Sequence, residues 1–465
     1  MTRDTTQPGV EATEVSPYLA FLFMLLSTAM LFDGFDTAML GFAAPDTRAT
    51  LDIGLTEWGL LNSFIRLGVM ISFFLLLYAD RRGRRMMMIV TVVGFATFTG
   101  LTAFVTDKWS FMLCQFGARL FLTAEFSLAV IVIGEECPAR LRGRAVAILT
   151  SLATVGVMLI AKVQAYVLLE AGARGNWLHD LGASVVAYGQ AYLGQDVDGA
   201  DWRALYALGL LPLIIVLLLR LGMRETRRFE ESRAERPGSK PGMSFREMLE
   251  AALIPWRREY LKRTALVALM WNSVYLVTGP SVVYWVIFAR EQIGLSPAQV
   301  GDIIFWGYAS GVAGHFAAGW LLDRIGRKYT CSGFYAMAAV SIFFLYQIPT
   351  LVGQYVWMIS TVFAFGAANT STHVYASELF PTEIRATGYG WTTNVIGRIT
   401  EVITPMAIGL LIVPLGISWS IAVIAVGPLI GSALVLRFAP ETKGLTLEEI
   451  QEQLLSERHQ VEAPQ

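Results

Sequence analysis

Two carboxylates three residues apart, Asp33 and Asp36, lie in an otherwise apolar stretch near the start of the chain, with Gly34 between them. Residues three apart share one face of a helix, and a glycine on that face permits close approach of a neighbouring helix or a solute. Adjacent acids in a low-dielectric site raise each other's affinity for a proton. The pair therefore has the chemistry to exchange a proton; the alternative is a permanent ion pair with Arg66 or Arg119.

Eight ionisable residues interrupt the apolar stretches in this way. Each would cost about 2.5 to 3.5 kcal/mol at the centre of a bilayer, so we expect them to face a polar cavity or to pair with one another. Four are acids and four are bases, so protonation of one acid would leave an excess positive charge for a carboxylate solute to balance. They are Asp33, Asp36, Arg66, Arg119, Glu125, Lys162, Arg398 and Glu401.

Spacing indicates which faces some of these residues occupy. Arg119 and Glu125 are six apart, so they point to different sides of one helix and need different partners. Arg398 and Glu401 would line a cavity or, alternatively, form a structural pair between bundles. They belong to a stripe at spacings of three, four and three that comprises Trp391, Asn394, Arg398 and Glu401.

Aromatic and imidazole side chains provide weaker candidates. Trp271, Asn272 and Tyr275 precede Gly279 and a proline, where a helix is expected to kink, and would stack on and orient a planar or sugar-like solute. The alternative is that these aromatic rings only pack. His373 can titrate near neutral pH, and a packing role is equally open for it.

The composition places these residues in a membrane. The 465 residues are 55% hydrophobic and only 16% charged, with a mean hydropathy of +0.53, which excludes a soluble globular protein of this size. Cys114, Cys137 and Cys331 are far apart, with no metal-binding or redox spacing, so we predict no disulfide framework, metal or cofactor.

Twelve apolar runs are long enough to cross a bilayer as helices. Residues 1–17 are polar and acidic, so a cleaved signal peptide is not expected. The runs are 18–44, 58–79, 86–106, 109–133, 145–169, 202–221, 264–288, 298–322, 329–348, 352–377, 386–414 and 419–438.

Two charged motifs occur twice at one offset, which indicates a duplicated unit of six spans. Residues 80–85 share an acid, a base, a glycine and two further bases with residues 323–328, and the copies are 243 residues apart. At the same offset Glu135, Pro138 and Arg142 are matched by Glu378, Pro381 and Arg385.

Lysine and arginine set the expected orientation. Of the 36, 27 lie on the side of the motifs, including the 12 from Arg220 to Arg263; 5 lie on the other side and 4 lie inside the spans. We therefore expect a cytoplasmic tail at 1–17, a six-helix bundle at 18–221, a cytoplasmic central loop at 222–263, a second bundle at 264–438 and a cytoplasmic tail at 439–465. The long fifth link, 171–201, is predicted to form an extracytoplasmic cap.

These motifs resemble a known family. Residues 319–328 are similar to the signature between the second and third helices of each half in the major facilitator superfamily. Residues 378–388 and 440–444 resemble its sugar-porter and metabolite:proton symporter branch, and residues 33–36 resemble the first-helix motif of aromatic acid:proton symporters. Two positions depart from the pattern: Leu76 replaces a family glycine, and residues 224–227 replace the proline-led motif of sugar porters.

The resemblance implies an all-α membrane protein with twelve transmembrane helices in two pseudo-symmetric six-helix bundles, whose central site opens alternately to either side. It implies that Asp33 or Asp36 carries a proton, and it relates Glu125 to a fourth-helix glutamate of the symporters. Charged clusters would hold the cytoplasmic ends of the bundles together in one state; the alternative is that the bases only fix topology. The candidate gate comprises Asp80, Arg84, Glu135, Arg142, Asp323, Arg327, Glu378 and Arg385.

The expected function is proton-coupled symport of a small organic carboxylate, with aromatic carboxylates among the candidates, across a bacterial inner membrane by a monomer. A sugar or polyol porter is the alternative, and a nontransporting membrane sensor is a second one; an enzyme or a nucleic-acid partner is not expected. Glu125 joins Asp33 and Asp36 as a candidate proton site. The candidate solute contacts are Arg66, Arg119, Lys162, Trp271, Asn272, Tyr275, His373, Trp391, Asn394, Arg398 and Glu401.

Overall fold

In the computed structural model, which describes residues 17–137, 139–168, 175–194, 198–225, 253–381, 384–445 and 449, the first half of the chain is helical. Each of the six apolar runs predicted there overlaps a helix, although the runs 86–106 and 145–169 extend past the ends of their helices, and one further helix, α6, lies in the long fifth link. The helices are α1 (Pro17–Thr50), α2 (Leu55–Arg82), α3 (Arg84–Thr102), α4 (Lys108–Glu136), α5 (Ala139–Val167), α6 (Trp177–Leu193) and α7 (Ala200–Leu221).

The second half repeats this arrangement. A 3-10 turn at Ile254–Trp256 precedes α8, π-helical turns follow α8 at Phe288–Ile293 and α12 at Trp391–Ile396, and a kink at Gly416 (φ 71°) divides α13 into two crossings. The helices are α8 (Leu261–Ile287), α9 (Pro297–Arg324), α10 (Arg327–Gln347), α11 (Leu351–Leu379), α12 (Arg385–Gly390), α13 (Gly397–Ile424) and α14 (Val426–Phe438).

The helices confirm the all-α prediction, and the described residues contain no strand. Nine helical stretches among them are long and apolar enough to cross a membrane, and the 52-residue stretch Thr387–Phe438 contains the kink that separates two crossings. Most of the predicted central loop, residues 226–252, lies outside the described residues.

Among the described residues, the two bundles meet mainly through three helix pairs: α1 with α8, α2 with α13, and α5 with α9. Close backbone approach makes these contacts. Thr56 Oγ1 donates to the carbonyl of Gly409 at 3.0 Å, and a Cβ on Gly301 would lie 2.0 Å from the carbonyl oxygen of Ala161. These contacts lie toward the end of the bundles that carries α6, here called the capped face. The opposite end, with the α2–α3 and α9–α10 links, is called the motif face.

Within the first bundle, α1 and α5 cross through two glycines. A Cβ on Gly34 would lie 1.7 Å from the carbonyl oxygen of Ala153, and one on Gly156 would lie 1.9 Å from the carbonyl oxygen of Leu31. The glycine between Asp33 and Asp36 therefore serves the close approach of a helix. It fixes the face of α1 on which the two carboxylates stand.

Candidate functional site

A cavity of about 290 Å³ lies between the two bundles, with walls from α1, α2, α4, α5, α8, α9 and α13. Its charged lining consists of residues that interrupt the apolar runs, and its other walls are mostly apolar. Five of the eight predicted charges meet there: Asp33, Arg66, Arg119, Arg398 and Glu401.

Glu401 joins the two bundles inside this cavity. Its Oε1 accepts a hydrogen bond from Arg66 Nη1 on α2, and its Oε2 accepts one from Arg398 Nη1, one turn away on α13, at 2.6 Å. Arg66 passes beside Gly279, where a Cβ would lie 3.0 Å from Nη1. The pair that crosses between the bundles is thus Arg66 with Glu401, whereas Arg398 and Glu401 pair within one helix.

Asp33 and Asp36 diverge although they share one side of α1. Asp33 lines the cavity, whereas Asp36 Oδ1 accepts from Thr99 Oγ1 on α3 at 3.4 Å. Arg119 interacts electrostatically with both carboxylates, and its Nη1 donates to Thr37 Oγ1 at 3.2 Å. In the described part of the chain neither carboxylate forms an ion pair with an arginine, so the arrangement differs from a permanently paired one.

Glu125 lies on the other side of α4 from Arg119, as their spacing predicted. It is buried away from the cavity, with Arg220 Nη2 donating to Oε1 and Thr91 Oγ1 donating to Oε2 at 2.6 Å. Arg220 was expected among the cytoplasmic bases. That expectation was wrong, because this last-turn arginine of α7 turns inward and its guanidinium is fully buried.

Lys162 pairs across the bundles with Asp302 on α9. Tyr355 donates to the second oxygen of Asp302 at 2.6 Å, and the Lys162 ammonium lies 4.7 Å from the ring centre of Phe305. Asp302 stands inside the predicted run 298–322 and was missing from the eight in-span charges. The count of four acids and four bases was therefore incomplete.

Two further ion pairs join the bundles at the capped face. Arg48 at the end of α1 pairs with Glu291 at 2.5 Å, and Asp46 pairs with Arg290, the two partners lying in the π-helical turn after α8. Together with the pair of Lys162 and Asp302 they join the two bundles at this face.

An aromatic cluster lies beside Arg398. The rings of Trp271 and Tyr275 stack at 5.1 Å, His373 meets Trp271 edge-on at 4.5 Å, and His373 Nδ1 is hydrogen-bonded to the hydroxyl of Tyr389. The Arg398 guanidinium lies 4.9 Å from the ring centre of Tyr275. The structure thus connects three predicted solute contacts to the cavity through Arg398.

Other members of the predicted solute-binding set lie apart. The amide of Asn272 donates to the carbonyl of Ala268 in its own helix at 2.7 Å. Trp391 packs edge-on against Trp256 at 5.8 Å. The side chain of Asn394 lies outside the described residues.

The motif face carries one charge cluster in each bundle. Arg84 Nη2 donates to Glu135 at 3.1 Å, and the equivalent Arg327 donates to Glu378 at 3.0 Å. Asp323 lies 3.4 Å from Arg327. Each cluster therefore joins helices of one bundle. The three other members of the predicted gate, Asp80, Arg142 and Arg385, have side chains outside the described residues.

Two glutamates missed in the sequence complete these clusters. Glu225, after α7, accepts from the backbone amide of Arg84 at 2.9 Å, and Glu441, after α14, accepts from the amide of Arg327 at 2.8 Å. They bind the free amides at the starts of α3 and α10, where a negative charge is stabilised. The available signal was a shared Glu-Thr-base sequence after the last helix of each half.

Comparisons with known proteins agree with this architecture. Residues 26–405 match the family model described as the Major Facilitator Superfamily. Among solved structures, a bacterial homologue of the human lysosomal transporter Spinster, in an inward-facing and unoccupied conformation, has a TM-score of 0.74 at 17% identity and covers 90% of this chain and 97% of its own. The inward-open xylose transporter XylE from E. coli has a TM-score of 0.71 at 17% identity, covering 94% and 100%.

Curated relatives cover most of the chain at lower than one-third identity. The putative niacin/nicotinamide transporter of Bacillus subtilis is 26% identical over 423 residues, 90% of this chain and 95% of the relative. The 4-hydroxybenzoate transporter of Acinetobacter baylyi is 25% identical over 90% of each chain, and the gallate transporter of Pseudomonas putida is 24% identical over 84% of each. The predicted fold class, twelve helices in two bundles, is confirmed.

Proposed function

The chain belongs to the Major Facilitator Superfamily and is a membrane transporter, not an enzyme, and on that premise we propose that it carries a small aromatic carboxylate together with a proton. The names of its relatives include niacin, gallate and 4-hydroxybenzoate, each a single ring bearing a carboxylate. The proposal extends that chemistry to this chain because of what lines its cavity.

The observation that carries the proposal is the charge of the cavity lining. Three arginines face two carboxylates, and Glu401 already forms ion pairs with both Arg66 and Arg398. Arg119 has only the hydroxyl of Thr37 as a hydrogen-bond partner among the described residues. Its remaining donors suit a carboxylate, which guanidinium binds through two parallel hydrogen bonds.

Proton coupling would arise between Asp33 and Arg119. While Asp33 is ionised, its charge balances that of Arg119 across the cavity; once it binds a proton, the solute carboxylate becomes the counter-ion of Arg119. Proton and solute then promote each other's binding, as linkage requires. Asp36 is the second acid in the same field. Glu125, held by Arg220 away from the cavity, is the least suited of the three proposed proton sites.

The size and walls of the cavity favour an aromatic ring. An apolar cavity of about 150 Å³ is enough to hold benzene, so about 290 Å³ leaves room for a ring and its carboxylate. Apolar side chains, including Phe42, Phe126 and Val157, form the walls. A sugar site would be led by Gln, Asn and Trp, and none of the described residues that line the cavity is of these types.

We further propose that the motif face and both termini are cytoplasmic, as the distribution of lysine and arginine indicates. The ion pairs at the capped face then close the outside of an inward-facing state. In the opposite state the two motif-face clusters would approach each other. The relatives are bacterial, which supports an inner-membrane location, and a monomer contains both halves of the proposed site.

The test is solute-driven proton movement in lightly buffered, de-energised vesicles that contain the purified protein. Niacin and 4-hydroxybenzoate are added in parallel with nicotinamide and xylose, and the external pH is followed for the wild type and for Asp33→Asn and Asp36→Asn. Alkalinisation by the acids only, lost in one Asp variant, supports the proposal. Solute uptake without proton movement would remove the coupling, and uptake of xylose alone would favour the sugar-porter alternative.

A further inference from the structure

The helix α6, in the link between the fifth and sixth crossings, has three distinct faces. It is 17 residues long, about 26 Å at 1.5 Å per residue, and lies at the capped face beside α7. One face packs on the protein and the other two are exposed. The exposed faces differ in chemistry.

The packed face is fixed by small residues and polar contacts. Val186 is buried, and a Cβ on Gly182 would lie 2.8 Å from the Cβ of Ala204 on α7. His179 Nε2 lies 2.9 Å from an Asp201 carboxylate oxygen at the start of α7, so the orientation of α6 is set. On the same side, a Cβ on Gly189 would meet the ring of Phe104, just after α3.

One exposed face is a stripe of large apolar and aromatic side chains. At 3.6 residues per turn these positions fall within an arc of about 80°. Trp177, Tyr188 and Tyr192 are 76%, 79% and 85% exposed, far more than packing against the protein would leave. The stripe consists of Trp177, Leu181, Val185, Tyr188 and Tyr192.

The adjoining exposed face carries only small or polar side chains, with no large apolar group among them. Asp180, Ser184, Ala187 and Ala191 are exposed over an arc of about 60° next to the stripe. A helix surrounded by water on its whole exposed side would not need this division. A helix at the boundary between water and lipid would have one dry side and one wet side.

We propose that α6 is an interfacial membrane helix whose stripe enters the headgroup region of the leaflet at the capped face. The chain segment beneath α6 leads to further exposed apolar side chains: the ring of Phe104 lies against Gly189 of α6, and Trp109 and Leu113, at the start of α4 soon after it in the chain, are 60% and 55% exposed. Tryptophan and tyrosine concentrate at that depth, where their rings are apolar and their edges remain hydrated. The helix would anchor the outer ends of α5 and α7 to the bilayer surface.

The test uses two neighbouring positions that face different ways. Tyr188→Cys and Ala187→Cys are each placed in a background lacking the native Cys114, Cys137 and Cys331, labelled with an environment-sensitive fluorophore and reconstituted in phosphatidylethanolamine and phosphatidylglycerol vesicles. We expect the label at 188 to be blue-shifted, quenched by lipids brominated near the headgroup and protected from aqueous iodide. The label at 187 should show the reverse pattern.

Either of two results overturns the inference. Iodide quenching of both labels, without quenching by brominated lipids, would place the stripe in water. Protection of the 188 label from both quenchers would mean that protein, such as a second copy of the chain, covers it. Val185→Cys with Ser184→Cys repeats the comparison one turn earlier, so a folding defect in the Tyr188 variant does not decide the result.

Discussion

Arg48 and Glu291 are 243 residues apart and form an ion pair with 2.5 Å between Nη1 and Oε1. The duplicated motifs have the same offset, so one position of the repeat meets its own counterpart. Equivalent positions meet in this way only close to the two-fold axis that relates two similar units. The neighbouring pair of Asp46 with Arg290 reverses the order of acid and base, so each half contributes one acid and one base at the capped face.

Glu291→Gln should let the capped face open more often. The lost pair is partly exposed, so we expect a cost of about 1 kcal/mol and a several-fold higher rate of labelling of Val157→Cys, in the cavity, by an impermeant maleimide added on that face. Exchanging the charges, with Arg48→Glu and Glu291→Arg together, should restore the slow rate. An unchanged labelling rate in Glu291→Gln would show that this pair does not control opening of the capped face.

Asp33→Asn should uncouple transport from the proton. Because the amide lacks the charge that balances Arg119, we expect solute exchange across the membrane to persist while accumulation driven by a pH gradient is lost. Asp36→Asn, which can still accept from Thr99, should lose less. Counterflow and gradient-driven uptake of a labelled acid measure the two activities. Gradient-driven accumulation by Asp33→Asn would indicate that another acid carries the proton.

Arg119→Gln should weaken binding of the carboxylate and not of its amide. Charge-assisted hydrogen bonds contribute about 1.5 to 3 kcal/mol, so the Kd for niacin should rise at least about tenfold, while that for nicotinamide changes little. Titration calorimetry on the purified protein measures both. Arg119→Lys keeps the charge without the planar pair of donors, so its Kd for niacin should lie between the values for the wild type and Arg119→Gln. Equal losses for both ligands would indicate a packing defect.

Hydropathy was sufficient to predict the twelve crossings, since each depends on the composition of one local stretch. The cavity was predictable in part: a charge inside an apolar run needs a polar surrounding, and Asp33, Arg66, Arg119, Arg398 and Glu401 do meet in one. Which charged residue pairs with which could not be predicted from the composition of local stretches.

Long-range pairing explains what spacing could not show. Glu125 and Arg220 are 95 residues apart, and Lys162 and Asp302 are 140 apart, so packing of whole helices decides their contact. Arg220 also shows a limit of the charge rule. A terminal base of a span counts toward orientation in the sequence, although its side chain can turn into the bundle.

Gly34→Ala should destabilise the first bundle, because the added methyl group meets the Ala153 carbonyl of α5. A backbone contact cannot move aside as a flexible side chain can, so we expect a loss of about 1 to 3 kcal/mol and a lower Tm in detergent. Gly333→Ala is the matched control, since a Cβ there meets nothing within 4 Å and should be neutral or stabilising. Equal Tm values for both variants would contradict the tight crossing.

The attachment of α6 should weaken as pH rises. Burial alone would lower the pKa of His179, but hydrogen bonds to Asp201 and Asp180 outweigh it and raise the pKa above its usual 6.5. The charged pair is therefore complete below pH 6.5 and is lost as pH rises through the higher value of the folded state. Hydrogen exchange of the α6 amides should accelerate over that window, beyond the intrinsic rise with pH. His179→Gln should abolish this additional acceleration of exchange. If the acceleration persists in that variant, a group other than His179 causes it.

The caps formed by Glu225 and Glu441 have a consequence for synthesis. Each follows the last membrane-spanning helix of its half and binds the start of the third helix of that same half. Each six-helix bundle is therefore held together by a contact between its own residues. The first bundle contains both partners of this contact once Glu225 has left the ribosome. Assembly of the two halves can therefore proceed in sequence, with the second bundle completed against a partner that is already closed.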